Sequence, residues 1–164
     1  MREQFDYIIC DSPAGIEKGA QLAMYCADEA IIVTNPEVSS VRDSDRILGL
    51  LGSKTQRAEK DEEPVKQHLL LTRYDAGRVS RGEMLKVDDI LEILSIPLLG
   101  IIPENEAVLR ASNTGNPVIL DKESTAGKAY ADAVSRLLGE QLEHRFPAEP
   151  RPRGFFARLF GGAA

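Results

Sequence analysis

The run Phe5-Asp6-Tyr7-Ile8-Ile9-Cys10-Asp11-Ser12-Pro13-Ala14-Gly15 constrains this 164-residue chain more than any other stretch. From Tyr7 to Cys10 it is apolar and rich in β-formers, and it then gives way at once to an acid, a hydroxyl, a proline and a glycine. That order predicts a buried parallel strand delivering the Asp11 carboxylate at its C-terminal end. In an open α/β sheet, ligands bind outside the carboxyl ends of the strands, where loop backbone and helix N-termini converge. An acid so placed holds Mg²⁺ in P-loop enzymes, but many strands end in Asp only as a turn or helix cap. The segment by itself leaves both readings open.

The rest of the chain alternates. A helix is expected over Glu17 to Cys26, a buried strand over Ala30 to Thr34 with Asn35-Pro36-Glu37 as its turn, and a helix over Val41 to Leu51. Ser40 and Asp43 have capping-box spacing, and Val41, Ile47, Leu48 and Leu51 share one face of that helix, with Arg42, Asp43, Asp45 and Arg46 left on the other. After a polar loop from Gln56 to Pro64, a third strand spans Gln67 to Thr72 and ends in Arg73. A loop with Gly77 and Gly82 leads to a helix from Asp88 to Leu94, and a fourth strand from Pro97 to Ile102 is closed by Pro103-Glu104. A short helix at Ala107 to Ala111, a small extended piece at Val118 to Leu120 and a long helix from Thr125 to Leu138 complete the order. The fold class expected is α/β, a mostly parallel sheet with helices on both faces.

Composition excludes several classes. With 43% hydrophobic and 28% charged residues the chain suits a globular domain with a real core, and its net charge of −6 argues against a general nucleic-acid binder. No basic start precedes an apolar h-region, and no apolar run is long enough to span a bilayer. Two cysteines fit a reducing compartment, and the isolated His68 and His144 are expected at the surface, without metal-site spacing.

Beyond residue 143 the character changes. Residues 144–153 are rich in proline and charge and read as a linker; residues 154–164 hold three of the chain's five phenylalanines. At helical spacing Phe155, Phe156, Leu159 and Phe160 make one apolar arc, and Arg151, Arg153 and Arg158 follow the last acid, Glu149. The pattern predicts an interfacial anchor for an anionic lipid surface. Each ring or large side chain contributes roughly 1.5–3 kcal/mol when fully buried, and each Arg about 1 kcal/mol. A helix shorter than ~12 residues is costly to order, so one copy binds reversibly and two gain avidity of about 10²–10⁴.

The segments Asp11 to Glu17, Thr34 to Ile47, Leu71 to Tyr74, Ile102 to Glu104, Leu109 to Asn113 and Arg158 to Gly162 closely resemble the MinD family, bacterial septum-site-determining ATPases of the deviant Walker A group. The resemblance runs along nearly the whole chain. Its second block and amphipathic ending separate it from related DNA-binding partitioning ATPases. It implies ATP and Mg²⁺ as cofactors, an ATP-dependent homodimer on the cytoplasmic face of the inner membrane, recruitment of MinC, and release by MinE. Asp11 is implied as the Walker B acid and metal-side residue, and Gly15 as part of the γ-phosphate-sensing loop. Asn35 and Glu37 are implied near nucleotide and dimer partner, and Arg73, Pro103 and Glu104 beside the adenine. Ser39, Arg42, Asp43 and Asp45 are implied as the partner-binding face, and Arg153, Phe155, Phe156, Arg158, Leu159 and Phe160 as the membrane-binding residues.

One feature of the family is missing from these 164 residues, a glycine-rich phosphate loop with its signature lysines. Gly127-Lys128-Ala129 is the nearest match, but it lies within the expected helix and lacks the upstream glycine and the Ser/Thr. The expectation is a C-terminal portion of the ATPase domain over residues 1–143 that binds ATP poorly and does not hydrolyse it alone. The alternative function is a non-catalytic, membrane-attached, partner-binding module.

Overall fold

The computed structural model describes residues 3–145, and the expected membrane-binding residues lie outside these. Three strands, β1 (Glu29–Thr34), β2 (Lys66–Tyr74) and β3 (Leu98–Pro103), form one parallel sheet in the order β1-β2-β3. Parallel pairing requires a crossover between successive strands, and the intervening helices provide it. They are α1 (Lys18–Tyr25) before β1, α2 (Val38–Leu51) and α3 (Gln56–Glu59) before β2, and α4 (Ala76–Ser80) and α5 (Val87–Leu94) before β3. Then come α6 (Glu106–Thr114), a 3₁₀ turn (Val118–Leu120) and α7 (Thr125–Leu137).

Strand alternation divides the core into two layers. Leu69 and Leu71 of β2 pack with Val41 of α2, Val79 of α4 and Ile90 and Leu94 of α5, whereas Leu70 packs with Leu99, Ile102 and the alanines of α7. Ala126, Ala129 and Ala133 recur at helical spacing and bring α7 close to the sheet. A methyl placed on Gly100 would lie 3.1 Å from the Ala133 Cβ, closer than ordinary contact, so glycine favours that approach. Helices therefore cover both faces, as expected.

The opening strand does not form. Tyr7 to Cys10 are exposed coil, with Ile9 93% accessible, and Cys10 is exposed rather than buried. A strand exists through its neighbour's ladder, and among the described residues no strand pairs with this run or with the outer edge of β1. Ile31 and Val33 of β1, alternating with buried Ile32 and Thr34, are exposed too, so one face of this edge strand is left open.

Local chemistry explains the other differences. Helix α2 begins at Val38 with Glu37 as its N-cap, and Ser40 sits inside it, its carbonyl accepting from the Ser44 hydroxyl at 2.9 Å. Two stretches expected as loops contain short helices because Thr55 accepts from the Ala58 N–H at 3.3 Å and Asp75 from the Arg78 N–H at 3.0 Å. The piece at Val118 is a 3₁₀ turn rather than extended, closed by Leu120 N–H to Pro117 O and Asp121 N–H to Val118 O, each 3.0 Å.

Candidate functional site at the carboxyl edge of the sheet

Four of the residues expected at a nucleotide converge where the strands end. Asn35 follows β1 directly, and its Oδ1 accepts from the Thr72 hydroxyl of β2 at 3.0 Å. With Oδ1 committed, the Asn35 amide NH₂ is the end left to donate to another group. Pro36 is buried, and its carbonyl accepts from the Leu85 N–H at 2.9 Å, which fixes the turn against the loop before α5. Glu37, half-buried, donates its N–H to Asn35 O at 2.8 Å and starts α2, where an acid suits the positive helix end.

Arg73 occupies an irregularity. The β2–β3 register shifts between Leu71 and Tyr74, and Arg73 within that shift has φ 56°, the left-handed region. Such a backbone costs an L-residue about 1–2 kcal/mol, and a bulge of this kind re-aims a side chain. The Arg73 guanidinium reaches Glu104 Oε1 at 3.4 Å, and the Glu104 N–H donates to Tyr74 O at 2.9 Å. Pro103 ends β3 in register with Tyr74. Asn105 then caps α6, its Oδ1 accepting from Ala107 N–H at 2.8 Å while its NH₂ donates to Thr125 Oγ1 at 2.9 Å.

An amide donor, a planar guanidinium, a proline ring and a carboxylate acceptor on one rim suit a flat heterocycle that carries both donors and acceptors. The residues expected at the phosphates and Mg²⁺ are not brought to this rim. Asp11 and Gly15 lie on the exposed coil before α1, and among the described residues neither hydrogen-bonds to the sheet edge. Gly15 has φ +94° with nothing within 4 Å of a would-be Cβ, so its glycine answers to backbone conformation alone. A methyl on Gly127 would lie 2.5 Å from the carbonyl oxygens of Val118 and Asp121, so that glycine serves close packing of α7 and cradles no phosphate.

Helix α2 buries Val41, Ser44 and Leu51 and leaves Ser39, Arg42, Asp43 and Asp45 exposed. Asp43 pairs with Arg46 at 3.2 Å, both open to solvent, so the face carries closely spaced charges of both signs. Thr72 and Asn105 were not expected as site residues. The hydroxyl at a strand end and the N-cap asparagine before Glu106-Ala107 were the available signals.

The parallel sheet with these helices is of the MinD/ParA P-loop NTPase type. Within that class the particular likeness is to MinD. The chain is 68% identical over 158 residues to the septum site-determining protein MinD of Escherichia coli K12, covering 96% of this chain and 58% of that protein. It therefore spans a little over half the length of the curated relatives it matches. The MinD cell division protein of Aquifex aeolicus superposes with a TM-score of 0.76 at 43% identity, covering 88% of this chain and 58% of that one. A MinC:MinD complex from the same organism gives 0.75 at 43%, covering 87% and 55%. MinD from Pyrococcus horikoshii, solved with Mg-ADP, gives 0.60 at 29%, covering 79% and 50%. No family model matches the chain.

Proposed function

We propose that this chain carries the C-terminal functions of a MinD-type septum-site ATPase. Asn35, Arg73, Pro103 and Glu104 border the base of ATP, and Asp11 and Gly15 serve the Mg²⁺ and γ-phosphate in the assembled ATPase. Glu37 approaches the second subunit of a homodimer. The α2 face with Ser39, Arg42, Asp43 and Asp45 receives MinC, and MinE at the point of release. Arg153, Phe155, Phe156, Arg158, Leu159 and Phe160 attach the protein reversibly to anionic lipid on the cytoplasmic face of the inner membrane, with mid-cell placement of the septum as the outcome.

The observation that carries this reading is the convergence of Asn35, Arg73, Pro103 and Glu104 on one rim in a chain 68% identical to MinD over 158 residues. The MinC:MinD complex and the Mg-ADP complex support partner and nucleotide by analogy. A second reading, a non-catalytic membrane-attached partner-binding module, is favoured for the polypeptide alone, because Gly127-Lys128 is packed within α7 and these residues hold no other phosphate loop.

Sedimentation with anionic vesicles tests both readings, comparing the chain with a Phe155→Glu, Phe160→Glu variant in ATP and in ADP. Loss of binding in the variant supports the anchor. A rise in binding with ATP supports the ATPase reading, equal binding in both nucleotides supports the module, and binding that survives the variant overturns the anchor.

A further inference from the structure

The segment after α7 is held back against its own helix by side chains that no part of the proposed function uses. Gly139, with φ +97°, reverses the chain, and the Gly139 and Glu140 N–H groups close the helix end on Arg136 O at 3.0 Å and Ser135 O at 2.9 Å. The Arg136 guanidinium then donates three ways. It reaches Leu99 O of β3 at 3.0 Å, Leu142 O at 2.9 Å and Glu143 O at 2.6 Å. One turn earlier on α7, Asp132 accepts from two nitrogens of Arg145, Nη2 to Oδ1 at 3.0 Å and Nε to Oδ2. A single arginine thus ties sheet to returning chain, and an ion pair ties that chain to the helix.

Between the two ties sits His144. Its Nδ1 is buried, and no described residue hydrogen-bonds to it. The groups around it are Ile101 of β3, Ala129, Asp132 and Arg136 of α7, and Arg145, and the cavity they share is only about 10 Å³, at the threshold for one water. A neutral imidazole tolerates this place. An imidazolium would bury an N–H⁺ beside the Arg136 guanidinium while both oxygens of the nearest carboxylate are engaged by Arg145.

We propose that Arg136, Asp132, Arg145 and His144 form an acid-opened latch that sets where residues beyond 145 leave the domain. Burial first, and Arg136 second, hold the His144 pKa below its ordinary 6.5 in the closed form. The closed form therefore binds fewer protons than the open one. The latch is at full strength above the open-form value of about 6.5, weakens as pH falls below it, and has lost that stabilisation once pH is under the lowered closed-form value. Closed, the latch ties residues 139–145 to α7 and β3; open, it releases them.

NMR of the whole chain through pH 7.5 to 5 tests the latch, because the ring of His144 and the Arg136 Nε–H are both observable. The expected result is a His144 midpoint below 6.5 and an Arg136 Nε–H chemical shift that moves from its hydrogen-bonded position at pH 7.5 to that of a free guanidinium in step with it. His144→Gln should keep the hydrogen-bonded shift at both ends of the range, and Arg136→Lys should return His144 toward 6.5. A His144 midpoint at 6.5 or above, or an Arg136 shift in His144→Gln that moves at the same pH as in the parent, overturns the proposal.

Discussion

The Thr72 hydroxyl donates to Asn35 Oδ1 at 3.0 Å, joining the ends of β1 and β2 by side chains just where their backbone ladder stops. Asn35 is thereby oriented by a group that does not itself line the rim. Thr72→Val keeps the shape and removes the donor, and a net hydrogen bond of this kind is worth about 0.5–1.5 kcal/mol. Urea denaturation should show a loss of about 1 kcal/mol with an unchanged m-value.

Arg73 carries a backbone cost that its ion pair does not offset, in a place where the proposed function gives it a nucleotide contact. Its left-handed backbone costs about 1–2 kcal/mol, and its exposed pair with Glu104 returns less than about 1 kcal/mol. Arg73→Gly should therefore raise stability by up to about 1 kcal/mol while removing the guanidinium from the rim. A thermal melt reads the first effect. Loss of adenine-nucleotide affinity in the full ATPase reads the second.

Two glycines in helices should respond in opposite senses to alanine. Gly49 lies in the last turn of α2 with nothing within 4 Å of a new methyl, so Gly49→Ala should stabilise by up to about 1 kcal/mol. Gly127→Ala drives a methyl to 2.5 Å from two backbone carbonyl oxygens and should cost about 1–3 kcal/mol despite the better helix propensity. Paired denaturation curves check both.

Acid should loosen the N-terminal ends of β1 and β2. Glu29 accepts from Lys66 Nζ at 3.2 Å and faces His68 Nε2 at 3.2 Å, and these partners, Lys66 foremost, hold its carboxyl below the ordinary 4.5. A lowered carboxylate pKa stabilises the fold above about 4.5 and loses that contribution as pH falls through the folded-state value. Stability measured from pH 6 to 3 should fall less steeply in Glu29→Gln than in the parent.

Much of the fold was legible because strands buried on both faces read as continuous apolar runs, as in Leu69-Leu70-Leu71 and Leu98 to Ile102. Tyr7 to Cys10 reads the same way, yet a strand is a property of a pair, and no partner strand lies beside it among the described residues. The helices α3 and α4 hang on single caps, Thr55 and Asp75, inside stretches too polar to announce them. The rim was only half legible. Asn35, Pro103 and Glu104 lie at turns that any strand-ending reading would inspect, but the left-handed Arg73 arises from a register shift between β2 and β3, which no local pattern encodes. The latch at His144 was invisible for the same reason, since it needs Arg136 to reach Leu99, 37 residues away in sequence.

The partner face proposed on α2 is tested by titrating purified MinC into the chain. Saturable binding is expected, and an Asp43→Arg, Asp45→Arg variant should weaken it at least tenfold while its circular dichroism and thermal melt stay those of the parent. No binding by a folded parent chain, or equal binding by the variant, would contradict it.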